Sequence, residues 1–308
     1  MAGYAETIGR RRTRAASSWM DRNIRWLLVS PAILLIVALT IFPLAFSIWV
    51  SFVQFDFSIS NAHPWVGLRN FKETWQDPIW VHSLYVTAIL ATLAVLIELA
   101  LGFALALAML RPFRGRRAMM VLFVVPLFIS PVIAGGFFDL FLRRPFGPMN
   151  WLLSQLLQHP VSIDFTIDGK WPYFALLLAD AWQWTPFVFV ILLAGLSAIP
   201  DELYEATEID GARPRQSFFF LTLPLLTPII LIAVTFRFID ATKLFDIIYS
   251  LTRGGPGTET YTSSYYLYQQ GFQFFHLGQG TAGAWMFTIM LTFVSFWLVR
   301  RLLKPVEE

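Results

Sequence analysis

Cysteine is absent from the chain, and charged residues fill only 14% of its 308 positions. The first absence excludes a disulfide framework and any thiolate metal site, and it leaves the redox compartment open. The second excludes the surface of an ordinary soluble domain, where about a quarter of residues are charged. The four histidines, His63, His82, His159 and His276, form no His-x-x-x-His or Glu-x-x-His pair, so metal-ligand spacing is missing as well. There is no Gly-x-x-x-x-Gly-Lys-Ser/Thr loop, and hence no element that could cradle ATP phosphates within this chain. A net charge of +3 is too small to indicate nucleic acid.

What is abundant is apolar. Hydrophobic residues make up 56% of the chain, aromatics 17%, and the mean hydropathy is +0.60, values that belong to the membrane class. A helix needs about 20 mostly apolar residues to cross the hydrocarbon layer at roughly 1.5 Å per residue. Six segments meet that requirement: Trp26 to Phe55, Leu84 to Leu110, Ala118 to Leu142, Trp171 to Ile199, Phe218 to Leu251 and Ala282 to Val299. Interior prolines such as Pro126, Pro131, Pro186 and Pro228 do not veto these helices, because neighbouring helices can satisfy the backbone groups they free. The expected fold is an all-α integral membrane protein with six transmembrane helices. Its parts are a basic segment at 1–25, a six-helix domain at 26–303 with a polar loop at 200–224, and a tail at 304–308.

Basic residues orient such a protein, since Lys and Arg accumulate on the cytoplasmic side. With the N-terminus inside, that side holds Arg10, Arg11, Arg12, Arg14, Arg22, Arg25, Arg111, Arg114, Arg116, Arg117, Arg213, Arg215, Arg300, Arg301 and Lys304. The opposite loops hold only Arg69, Lys72, Arg143, Arg144, Lys170 and Arg253. Both termini are therefore expected in the cytoplasm. A cleaved signal peptide does not fit the first segment, whose apolar run is too long, contains Pro31 and Pro43, and lacks a small-x-small cleavage site.

One polar island interrupts this apolar chain, "DELYEATEIDGARPRQSFFFLTLP" from Asp201 to Pro224, which lies on the cytoplasmic side in the topology above. Asp201 is placed to cap a short helix whose first turn carries Glu202 and Glu205, the sign a helix N-terminus favours. Gly211 can stop that helix, and Pro214 can start the next. The element presents charge on one face and Leu203, Tyr204 and Ile209 on another, which suits docking into a groove on a partner.

The same stretch resembles the EAA loop of the permease subunits of binding-protein-dependent ABC importers. The family pattern, Glu-Ala-Ala, three residues, Gly, nine residues, Ile-x-Leu-Pro, reads here as Glu205-Ala206-Thr207, Gly211 and Leu221-Thr222-Leu223-Pro224. Thr207 for alanine and Leu221 for isoleucine are its departures, both mild in volume. "FDIIYSLTRGGPGTET", Phe245 to Thr260, resembles the outer end of the fifth span in the carbohydrate-importing branch, particularly its maltose-type and glycerol-phosphate-type first permeases, with Arg253 where a third glycine is usual. "VGLRNF" at Val66 to Phe71 and Leu223 to Pro228 extend the resemblance along the whole chain.

The resemblance implies a type I ABC importer permease of the bacterial plasma membrane, with no catalytic residue and no cofactor of its own. ATP and Mg would be bound by two cytoplasmic ATPase subunits. A sister permease, an extracytoplasmic sugar-binding lipoprotein and membrane lipid would complete the partners, and the cargo would be a disaccharide such as trehalose or maltose, or a related carbohydrate. By the same resemblance Glu205, Ala206 and Gly211 are ATPase-coupling positions. Charge and exposure add Asp210 and Arg213.

Charges inside spans cost on the order of 2.5 to 3.5 kcal/mol each at the bilayer centre, so such residues usually face a cavity or a partner. Glu98, Asp139, Asp180, Arg237, Asp240, Lys243 and Asp246 are of this kind. In the fourth span, "DAWQWTPF" sets Asp180, Gln183, Trp184 and Phe187 at helical spacing, a mixture of aromatic faces and polar groups suited to a sugar. These positions match the sugar-contacting positions of the maltose-type permeases, although the side chains differ. Interfacial anchoring accounts for Trp171 but not for Trp184, which lies deep in the segment. In the fifth span, Arg237, Asp240 and Lys243 recur every third residue. Asp240 and Lys243 complete a candidate substrate pocket, or the same charges form a salt-bridge ladder between spans. An ion-coupled secondary transporter would also carry mid-span charges, but no inverted repeat is visible. A membrane-embedded enzyme would need a catalytic pair at a membrane face, and none stands out.

Overall fold

The computed structural model describes residues 23–56 and 63–302, with the side chains of 301 and 302 left aside. Arg10, Arg11, Arg12, Arg14, Arg22 and Lys304, and with them most of segment 1–25 and the tail 304–308, lie outside the described residues. Among the described residues the architecture is helical, with two isolated bridges, Val53 to Trp65 and Asp56 to His276, in place of any sheet.

Among the described residues, five helices are long and apolar enough to cross a membrane: α1 (Asn23–Ser51), α3 (Pro78–Leu110), α7 (Trp171–Ser197), α9 (Pro214–Ala241) and α12 (Leu277–Leu302). The third expected segment is formed by two helices that are long and apolar enough only when taken together. α4 (Arg116–Phe128) and α5 (Pro131–Leu142) meet at 101°, so the straight segment expected over Ala118 to Leu142 is broken. The cause is local. A residue before proline is pushed out of the helical region, and Ser130, preceding Pro131, has ψ 136°.

Shorter helices fill the connections. α2 (Arg69–Gln76) precedes α3, α6 (Pro148–Leu157) lies between α5 and α7, and α8 (Asp201–Ile209) is the short helix of the polar island. α10 (Asp246–Leu251) and α11 (Ser263–Tyr268) join α9 to α12. The fifth span therefore ends at Ala241, short of the expected Leu251, and Asp246–Leu251 forms the separate helix α10. The sixth starts at Leu277, earlier than Ala282.

Small residues set the closest approaches between spans, as they do where helices pack in lipid. A Cβ on Gly102 of α3 would lie 2.9 Å from the Val188 side chain of α7, and one on Gly195 of α7 would lie 2.6 Å from Ile229 of α9. Two apolar clusters result along the α3–α7 seam. One joins Val86 and Leu90 to Ala175, Leu176 and Ala179, and the other joins Ala106 and Met109 to Val188, Leu192 and Leu196. Glu98 on α3 and Asp180 on α7 fall between the two clusters in chain order, which places a charged layer inside the bundle.

Candidate functional site

Arg237 of α9 projects into that charged layer and is 1% exposed. Its guanidinium donates to Glu98 in a side-on fork, Nε to Oε2 at 2.5 Å and Nη2 to Oε1 at 2.6 Å. Nη2 also donates to Asp180 Oδ2 at 3.1 Å, and Nη1 to Asp240 Oδ2 at 2.7 Å. Its Cζ lies over the Trp184 ring, 4.7 Å from the centroid. Lys243, past the end of α9, approaches Asp240 Oδ1 at 3.7 Å. One arginine thus ties α3, α7 and α9 together. A planar fork suits this role where a point-charge ammonium would not.

The six residues expected to line a pocket are placed unequally. Asp180 and Gln183 are buried, the latter donating its amide to the Ile129 carbonyl at 2.7 Å, at the break between α4 and α5. One oxygen of each, Asp180 Oδ1 and Gln183 Oε1, is buried with no protein partner. Trp184 and Phe187 are half-buried, their rings edge to face with centroids 6.5 Å apart. Asp240 keeps 44% of its side chain exposed and Lys243 57%. Arg237 therefore brings Asp180, Trp184 and Asp240 together. Glu98, which holds the guanidinium most closely, was visible in the sequence only as a mid-span charge.

In the polar island, α8 starts at Asp201 itself, with Pro200 at the N-cap and no side-chain cap bond, so Asp201 acts through the helix dipole and not as the cap. Gly211 has φ 74° and ends the helix, and Pro214 opens the next one. Glu205, Ala206, Asp210, Gly211 and Arg213 are all exposed, and none of their charges has an ion-pair partner among the described residues. Leu203 and Ile209 also face outward, Ile209 at 87% exposure, whereas Tyr204 turns inward and pairs with Thr222 Oγ1 at 3.1 Å. Thr207 donates to the Tyr204 carbonyl at 2.8 Å and shares a hydrogen bond with Ser217 Oγ at 3.0 Å. Its departure from alanine thus adds a tie between α8 and the start of the fifth span, which volume alone did not reveal.

At the far end of the bundle, Arg253 adopts φ 52°, in the left-handed region where glycine is at ease, which explains the usual glycine at this position. The loop is closed by Thr252 to Thr260 at 2.8 Å and held by Tyr173, which donates to the Glu259 carbonyl at 2.6 Å. Arg253 borders a cleft of about 380 Å3 with Asp139, Arg143 and Thr166, and none of the six pocket residues lines it. Asp139 forms an ion pair with Arg143 there. On the same end, Arg69 pairs with Glu73 at 2.6 Å and holds that carboxyl below its ordinary range.

Comparison with known proteins shows the family and the fold. The family model of the binding-protein-dependent transport system inner membrane component matches residues 98–307, more than half of the chain. The trehalose/maltose transport system permease protein MalF of Thermococcus litoralis is 33% identical, covering 91% of this chain and 94% of its own length. The sulfoquinovosyl glycerol transport system permease protein SmoG of Agrobacterium fabrum is 34% identical over 85% of this chain and 84% of its own. A crystal structure of a bacterial ABC transporter that imports the acidic polysaccharide alginate superposes with a TM-score of 0.79 at 23% identity, over 94% of this chain and 100% of the other, and so shares the fold. By the family model and by relatives matched over most of their length, the chain belongs to the binding-protein-dependent transport system inner membrane components, the multi-pass permeases of ABC importers.

Proposed function

We propose that this chain is one of two permeases that form the translocation pathway of an ATP-driven sugar importer in a bacterial plasma membrane, with both termini cytoplasmic. The observation that carries the reading is α8, an exposed helix whose four carboxylates, like Asp210 at its end, have no ion-pair partner among the described residues, while Thr207 and Tyr204 fix its place against the bundle. In this reading Glu205, Ala206, Asp210, Gly211 and Arg213 meet a cytoplasmic ATPase, and ATP and Mg are bound there. A sister permease covers the other side of the pathway. An extracytoplasmic binding lipoprotein delivers the sugar to the opposite end.

The cargo is proposed to be a disaccharide of the trehalose or maltose class, in line with what the names of several full-length relatives state for those proteins. Trp184 and Phe187 would offer faces to sugar C–H surfaces, and Asp240 and Lys243 would meet hydroxyls. Asp180 and Gln183, being buried, would back this wall. Uptake of labelled disaccharide into proteoliposomes holding the whole complex tests the reading. It should require the loaded binding protein and ATP, and vanadate should stop it. Uptake that stops with an uncoupler and persists with vanadate would favour an ion-coupled transporter instead.

A further inference from the structure

We propose that Glu98 is a positioning residue of the sugar pathway, which through Arg237 sets the places of Trp184 and Asp240. The inference rests on the pocket reading above. Glu98 is fully buried and touches no surface that a sugar could reach. It is nevertheless the partner that determines how the Arg237 plane lies, because it alone takes two donors side by side, Nε and Nη2.

Once that plane is set, the remaining contacts follow from the fixed shape of the guanidinium. Nη1 points to Asp240 Oδ2, leaving Oδ1 beside Lys243 and half in the open. The Arg237 Cζ lies over the Trp184 indole, 4.7 Å from its centroid, so the ring is in cation–π contact with a cation whose own place Glu98 fixes. A pair present only for bundle stability would be complete with Glu98 and Arg237. Here the chain extends from a buried carboxylate through a buried cation to a half-exposed carboxylate and a half-exposed indole. A group that orients others without touching the ligand is what a precise binding wall requires.

The test uses the complete reconstituted complex, with sugar moved per ATP hydrolysed as the readout. Loss of folding lowers the amount of assembled complex but leaves that ratio alone. Glu98→Gln removes the fork's charge, and Glu98→Asp keeps the charge but shortens the reach. Both should assemble in part and lower the ratio, on the order of tenfold for Glu98→Gln, as expected when one charge-assisted hydrogen bond to the substrate is misplaced. Trp184→Ala and Asp240→Asn should lower it as well. If these two lower the ratio while assembled Glu98 variants keep it, the positioning role is wrong and the pocket stands. If Trp184→Ala and Asp240→Asn keep a normal ratio, the pocket itself is wrong. Failure of both Glu98 variants to assemble would also overturn the inference, because the residue would then serve the fold alone.

Discussion

The two polar regions of this molecule treat charge in opposite ways. Around Arg237, three carboxylates and an indole surround one cation inside the bundle. On α8 and at its end, Asp201, Glu202, Glu205, Glu208 and Asp210 stand exposed without ion-pair partners among the described residues. Buried charge must be matched within the protein, since desolvation is costly. Exposed charge of one sign carries no such demand, and its free capacity is available to another molecule. The first arrangement therefore organises this chain, and the second is free to meet the partner proposed for it.

The largest effect should come from breaking the interior. Arg237→Ala strands Glu98 and Asp180 in the bundle, a loss on the order of 3 to 5 kcal/mol for a broken buried pair, and the assembled yield and melting temperature in detergent should fall together. A normal yield would mean that the cluster is not holding α3, α7 and α9. Reversing charge on the exterior should do the contrary. Glu205→Lys should leave insertion and melting temperature intact while abolishing stimulation of ATPase activity by the binding protein, since a reversed charge at a docked face costs several kcal/mol, about 2 to 5. Normal stimulation and uptake would remove α8 from coupling.

Smaller effects separate backbone strain from surface pairing. Arg253→Gly should raise stability by about 1 kcal/mol or less, because an L side chain pays for φ 52° and glycine does not. A drop in melting temperature would show that the Arg253 side chain supports the loop. Arg69→Ala removes the pair with Glu73, whose members are 66% and 37% exposed, so thermal unfolding should shift by no more than about 1 kcal/mol.

Much of this contrast was legible in the sequence, for physical reasons that differ by region. α8 could be read from the dense carboxylates, Gly211 and Pro214, all local signals, and the crossings from apolar length. The break at Ser130 had a signal in Pro126 and Pro131, which bracket it, yet in membrane helices proline alone does not tell a kink from a turn. The end of the fifth span at Ala241 had no such signal, since "TKLFD" contains neither proline nor glycine. That break is supported from a distance, by Thr262 donating to the Leu244 carbonyl at 2.9 Å and by Ser250 of α10 lying against Gly135 of α5. The spacing of Arg237, Asp240 and Lys243 foretold their mutual contacts. It could not foretell Glu98, because helical periodicity relates neighbours on one helix and carries no information about partners on another.

Because the native chain has no cysteine, a single introduced thiol reports one position without ambiguity. The most direct measurement places it at Ala206, on the exposed side of α8, and in a second protein at Thr258, in the loop at the other end of the bundle. The Ala206→Cys complex should cross-link to an ATPase subunit and react with reagents only from the cytoplasmic side, and the Thr258→Cys complex should react only from outside and never reach the ATPase. An Ala206 thiol that is labelled from outside, or that fails to cross-link to the ATPase in a complex active in transport, would contradict the account.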